Sequence, residues 1–266
     1  MDILDTGLGS IEAQLWQILF LSIRCGAALM AAPMVGGTAV PPPVRILLSL
    51  VFGFFIATWV PLPPAPAMLS FGAVLAVLHE VVVGLALGFV LQLAFAVPLI
   101  AAEQISGTMG LAIATSIDPA SGAQSGALGT FFGLVLSLLF YAIGAHLLWY
   151  ELLIASYRLL PAGEWGFGAW QAKNVVMFMG YGLATAAAIA LPVVLVLLLV
   201  QVVTGLISRS APSLNLFALG LPAGVAAGIA ALIIALPVMT EQFRGVIEAA
   251  LEQSEGLLIA EGDADG

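Results

Sequence analysis

The residues of this chain that could do chemistry are few, and four of them stand in or beside long apolar runs: Arg24, Glu80, Glu103 and Asp118. A carboxylate at the centre of a bilayer costs about 2.5–3.5 kcal/mol on insertion scales, so each acid needs a reason to be there. Three reasons are available: an ion relay in a transporter, a buried pair with Arg24 or with another subunit, or a position outside lipid. On one continuous helix Gln92 and Glu103 share a face, whereas Glu80 lies about 120° away, so no single acidic stripe forms. Catalytic patterns are scarcer still. His79-Glu80 opens like a zinc-protease helix, but Val83 stands where the second histidine belongs. Ser125 lies between Gln124 and Gly126 without the spacing of a nucleophile elbow. His79 and His146 have no further ligands beside them. Cys25, the single cysteine, excludes an internal disulfide and any multi-cysteine metal site. The expectation is a chain with no catalytic centre, metal or cofactor.

The elements that carry these residues are oily. Of 266 residues 62% are apolar and 8% charged, where a soluble domain carries about 25% charged residues. Mean hydropathy is +1.17. This composition excludes a water-soluble globular enzyme and a disordered chain. The net charge of −9 argues against nucleic acid as a partner. That charge is confined to the ends. Asp2, Asp5 and Glu12 lead the chain, and seven acids oppose Arg244 in residues 239–266. Between them Arg24, Arg45, Arg158, Lys173 and Arg209 balance Glu80, Glu103, Asp118, Glu151 and Glu164. Membrane lipid is the expected surrounding, with acidic, solvated ends. The basic loop residues divide too evenly between the two sides for the positive-inside rule to fix an orientation.

Apolar periodicity and length predict an all-α, multi-pass membrane protein of long kinked helical hairpins. About six apolar helices are expected, near 12–32, 44–60, 68–100, 127–150, 174–207 and 214–238, each approaching the roughly 20 residues of one crossing. The charge-free stretch 174–208 is well beyond one crossing, so it either tilts and kinks at Pro192 or does not cross a bilayer simply. The acidic N-terminus does not resemble a signal peptide, so the first helix is expected to stay in the mature protein. Proline-rich connectors lie at 39–43 and 61–66. Trp165 and Trp170 suit either a membrane–water boundary or an apolar loop packed on the protein. Beyond the last apolar helix Phe243, Val246, Ile247, Ala250 and Leu251 recur at helical spacing, predicting a short amphipathic helix packed on a neighbour.

Glycines four apart suit close helix contact, notably Gly84 with Gly88 and the run Gly220, Gly224, Gly228. Residues 103–126 are the most unusual segment, too apolar for an exposed loop and too rich in Gly and Ser for a stable helix. Asp118-Pro119 breaks it. Non-helical backbone at membrane depth is tolerated only inside protein or against a water-filled cavity, so this segment faces one or the other.

Three blocks of residues are familiar. Glu103, Gly107-x-Met109-Gly110-Leu111, Ala114-Thr115 and Asp118-Pro119-Ala120-Ser121 resemble the central signature of the FliR family, the flagellar type III export-gate proteins. Leu191-Pro192, Gly205-Leu206-x-x-Arg209-x-Ala211-Pro212, Asn215, Phe217, Gly220 and Pro222 form a second block. Ala32-Pro33 and Pro42-Pro43-Val44-Arg45 form a third. Injectisome counterparts share much of the pattern. Many relatives carry two bases where this chain has Arg45 alone.

The resemblance implies a non-enzymatic subunit of the bacterial inner-membrane export gate in the flagellar basal body. Its expected partners are FliP- and FliQ-like subunits, FlhB- and FlhA-like proteins, and unfolded exported flagellar subunits. It implies a FliP-like part over about 12–170, a FliQ-like hairpin over 174–240 and an acidic amphipathic tail over 241–266 of one export-gate domain. It also implies that the loop near 108–125 plugs the closed channel. Met109 and Ile117 are then expected to seal the pore. Asp118-Pro119 shapes the loop, and Gly107, Gly110, Gly122 and Gly126 let it move. Gly84, Gly88, Gly220, Gly224 and Gly228 become packing or subunit-interface positions. Arg24, Glu80, Glu103 and Arg209 become candidates for buried polar pairing, and Arg24, Glu80, Glu103 and Asp118 for pairing between subunits. The alternatives are an injectisome gate subunit or an ion-coupled secondary transporter.

Overall fold

The computed structural model describes residues 5–37, 40–60, 70–110, 126–163, 167–210 and 216–258. Among them every regular element is helical: α1 (Asp5–Ala31), α2 (Pro33–Gly36), α3 (Pro42–Ala57), α4 (Phe71–Thr108), α5 (Ala127–Ala142), α6 (Ala145–Leu159), α7 (Ala169–Ser210) and α8 (Leu216–Gly256). Proline opens α2 and α3, where its fixed φ suits the first turn and its missing N–H is not needed. Arg45 bonds the carbonyls of Gly37 and Val40, so this lone base holds the α2–α3 connection within the chain.

Several boundaries differ from the sequence reading. The third predicted helix continues past residue 100 to Thr108, where Gly110 takes a left-handed φ of 81° and ends it. The predicted helix 127–150 is two helices, α5 and α6, separated at left-handed Gly144 (φ 75°) and bent by 69°. The last apolar helix and the predicted short amphipathic helix are one element, because α8 runs on past Pro237. α7 includes Pro192 within a single helical element.

Among the described residues, four helical stretches are long and apolar enough to cross a membrane, in place of about six: Gln14–Ala31, Phe71–Thr108, Ala169–Ser210 and Gly220–Gly256. The bent α5–α6 pair makes a fifth if it counts as one span. At 16 residues, α3 reaches only about 24 Å, short of a core about 30 Å thick. By contrast α4, α7 and α8 have 38, 42 and 41 residues, roughly twice what one crossing requires.

The chain divides into two compact units, one formed by Met1–Leu93, Gly144–Phe178 and Ala249–Gly266, the other by Ala94–Ile143 and Met179–Glu248. The first has a core of Leu21, Leu29, Val83, Leu87, Leu91, Trp149, Leu153 and Tyr157. In the second Phe132, Phe140, Ile189, Val193, Leu197 and Phe243 are buried. Edge-to-face ring pairs join Phe95 to Phe140 and Phe132 to Phe243, at 5.5 and 5.4 Å. The most apolar windows of α7 and α8 are only 28% and 17% buried, against 56% for α4. Such outward apolar faces suit lipid or other subunits.

Candidate functional site

Within the first unit, α1 and α4 meet along a seam with a charge pair at one end and glycine along the rest. Arg24, Ala28 and Ala32 are spaced four apart on one face of α1 and its end. Glu80, Gly84 and Gly88 match them on α4. A Cβ at Gly84 would run into the Arg24 carbonyl oxygen and the Ala27 side chain, and one at Gly88 into the Ala28 carbonyl oxygen and the Ala31 side chain. Only glycine lets the two backbones approach this closely. Gly53 does the same for α3, where a Cβ would come within 2.8 Å of the Ile18 carbonyl oxygen.

That approach brings Arg24 and Glu80 together, both with fully buried side chains. Arg24 donates through Nε to Oε2 of Glu80 at 2.8 Å and through Nη2 to Oε1 at 2.9 Å, a bidentate pair. Its Nη1 donates to the carbonyl of Ser156 at 2.9 Å and to the Ser156 hydroxyl at 3.1 Å. The guanidinium lies 4.2 Å from the centroid of the Tyr157 ring, in cation–π geometry. Glu80 Oε1 also accepts the Gly163 N–H at 3.1 Å, a donor presented by the left-handed turn at Gly163 (φ 84°). Tyr157 in turn donates its hydroxyl to the Leu21 carbonyl at 2.5 Å. One guanidinium thus ties α1 to α4 and α6. Burying two charges is compensated only when geometry and extra hydrogen bonds are this complete.

Both partners belong to this chain: of the two pairings left open for Glu80, with Arg24 or with another subunit, the structure forms the one with Arg24. Ser156, Tyr157 and Gly163 had no place in the sequence reading. The available signal was register: Arg24 and Glu80 each sit one turn before small residues at four-residue spacing.

A second constellation lies in the second unit, at the end of α4. Met109 is buried, with its side chain flat against α8. A Cβ at Gly228 would lie 2.7–2.8 Å from Met109 Cε, Cγ and Sδ, and one at Gly224 would lie 3.5 Å from the Met109 carbonyl oxygen. Gly220 faces open space within the chain, as does Gly107. Gly110 packs against Leu221, 2.9 Å from the position its Cβ would take. The Gln201 amide of α7 donates to the Thr108 carbonyl at 2.8 Å, capping the end of α4. A cavity of about 300 Å³ adjoins these groups, lined also by Val200, Thr204 and Gly205.

Glu103 is exposed and accepts the Gly126 N–H at 3.5 Å. Arg209 is exposed in the last turn of α7, where a cation complements the helix dipole. Ile117, Asp118, Pro119 and Gly122 lie outside the described residues.

The family described as "Bacterial export proteins, family 1" matches residues 15–250. The flagellar biosynthetic protein FliR of Escherichia coli (strain K12) is 31% identical over 237 residues, covering 87% of each chain. FliR of Bacillus subtilis (strain 168) is 29% identical over 248 residues, 90% of this chain and 93% of that protein. The surface presentation of antigens protein SpaR of Shigella flexneri is 32% identical over 142 residues, covering 53% of this chain and 55% of SpaR. The family match takes in residues from α1 through α8 and includes both constellations, and on that match the chain belongs to the bacterial export proteins, family 1.

Proposed function

We propose that this chain is a subunit of the flagellar type III protein export gate. It is a multi-pass protein of the bacterial inner membrane, located at the flagellar basal body, and helps form the channel through which unfolded flagellar subunits leave the cell. The observation that carries the reading is likeness across almost the whole chain to flagellar relatives, 87% of both chains for the Escherichia coli protein. The injectisome relative matches over 53%. The geometry suits a structural part. Glu80, one of the three acids an ion-coupled carrier could use beside Glu103 and Asp118, is closed into a bidentate pair, and its Oε1 also accepts a backbone N–H.

In this reading the chain assembles with FliP- and FliQ-like subunits beside FlhB- and FlhA-like proteins. Residues 12–170 play the FliP-like part and 174–240 the FliQ-like hairpin, with 241–266 as the tail. It makes and breaks no covalent bond in its cargo.

Removing the gene from its host should abolish swimming and extracellular flagellin, with both restored from a plasmid. Normal swimming in the deletion strain would sink the flagellar reading. Loss of effector secretion in a strain that still swims would replace it with the injectisome one. The reading also gives the segment after α4 the role of plugging the resting channel. Deleting residues 111–120 in the assembled gate should raise ion leak across vesicles at least several-fold. Unchanged conductance together with unchanged export would end the plug reading.

A further inference from the structure

We infer that the end of α4 is held on the α7–α8 hairpin by a releasable latch, consisting of Met109 against Gly228 and the Gln201 amide on the Thr108 carbonyl. Release of this latch governs how readily the resting gate opens. The inference rests on the proposed gate function and adds a control element to it.

Every bond in the latch is of a kind that can be made and undone. Met109 is held by shape alone, against a glycine that would meet its Cε, Cγ and Sδ if it carried a Cβ. An unbranched thioether with several rotatable bonds leaves and re-enters such a notch more readily than a branched side chain. The Gln201 bond is neutral and exposed. Water can replace it at the Thr108 carbonyl, which as a helix-end acceptor lacks an intrahelical donor. Gly110 supplies a left-handed turn immediately beyond (φ 81°). The adjoining cavity of about 300 Å³ gives Met109 somewhere to go. The seam in the other unit is built oppositely, from a buried bidentate ion pair and backbone contacts that cannot shift singly. The chain therefore holds a rigid junction and a yielding one, and the yielding one sits where α4 ends.

The test uses the assembled gate in membrane vesicles. Gly228→Ala drives a methyl into Met109 and should raise resting ion leak at least threefold, and Gln201→Leu should raise it by a smaller factor. Gly245→Ala, whose Cβ meets nothing within 4 Å, should not change it. A Met109→Cys/Gly228→Cys pair should cross-link on oxidation in the resting gate, lower export at least tenfold, and recover on reduction. Failure to cross-link in the resting gate overturns the latch, and so does export at the unmodified rate through the oxidised pair. The 111–120 deletion separates this from the plug reading. If that deletion raises leak while the cross-link has no effect on export, the latch alone fails. If the deletion is silent while the cross-link blocks export, the plug reading alone fails.

Discussion

Substituting either Arg24→Met or Glu80→Gln alone should destabilise the protein by about 3–5 kcal/mol, and combining them should restore most of the loss. The asymmetry follows from what each change leaves behind. Arg24→Met leaves a buried carboxylate that keeps the Gly163 N–H and the His79 imidazole 3.8 Å away but loses its counter-charge. Glu80→Gln leaves a buried guanidinium facing only the Ser156 oxygens, the Tyr157 ring and a neutral amide. The double variant buries no charge, and the glutamine oxygen can still accept from Gly163. Similar volumes keep the α1–α4 packing in place. Thermal unfolding of the detergent-purified protein, with the yield of assembled gate as a second readout, measures this. If the double variant is as unstable as the sum of the singles, the residues do not act as a pair and the seam has been misread.

The second large effect is expected at glycine. Gly84→Ala or Gly88→Ala places a methyl group against backbone oxygens of α1, which have no rotamer to escape into. Overpacking costs typically about 1–3 kcal/mol, and backbone contact puts these two at or above the upper end. The damage also reaches the ion pair, because Glu80 stands one turn before Gly84 and α1 must retreat from both. Gly220→Ala is the matched contrast. Its Cβ meets nothing within 4 Å, and the gain in backbone entropy makes the change neutral or stabilising by up to about 1 kcal/mol. Melting temperatures of the three variants in the isolated chain decide the matter. Equal losses at Gly84 and Gly220 would mean that helix propensity, not close approach, rules this chain.

These contrasts show where sequence reading ran out. Spacing of four made Gly84, Gly88 and Gly220 look alike, since periodicity identifies a face but not what lies against it. The run Gly220, Gly224, Gly228 looked the strongest packing face. Within the chain it grades from open space through ordinary contact to the tight seat of Met109. Helix existence was legible because apolar runs are long, whereas helix ends depended on local backbone. Gly110 and Gly144 terminate helices through left-handed φ, which composition does not reveal. The last apolar helix was expected to end near 238, where charge begins to appear, yet α8 continues through Pro237, with Phe243, Val246, Ile247 and Ala250 buried beyond it. Gln201 belongs to no motif or periodic face. A lone polar residue in an oily helix signals a partner, but sequence does not say that the partner is the end of another helix. The family signature was the most legible feature of all, and it covers Met109 and Gly110.

Arg24 has a consequence for how the chain is made. Its counter-charge Glu80 is synthesised 56 residues later, and Ser156 follows 132 residues after Arg24. At roughly 5–20 residues per second, the first helix waits about 3–11 s for its carboxylate and about 7–26 s for its serine. During that interval a guanidinium sits within an apolar helix at a cost of about 2.5–3.5 kcal/mol. Until then α1 carries that cost alone, and the arrival of α4 removes it. For this one pair, insertion is completed jointly, the later helix supplying the counter-charge that lets the earlier one settle.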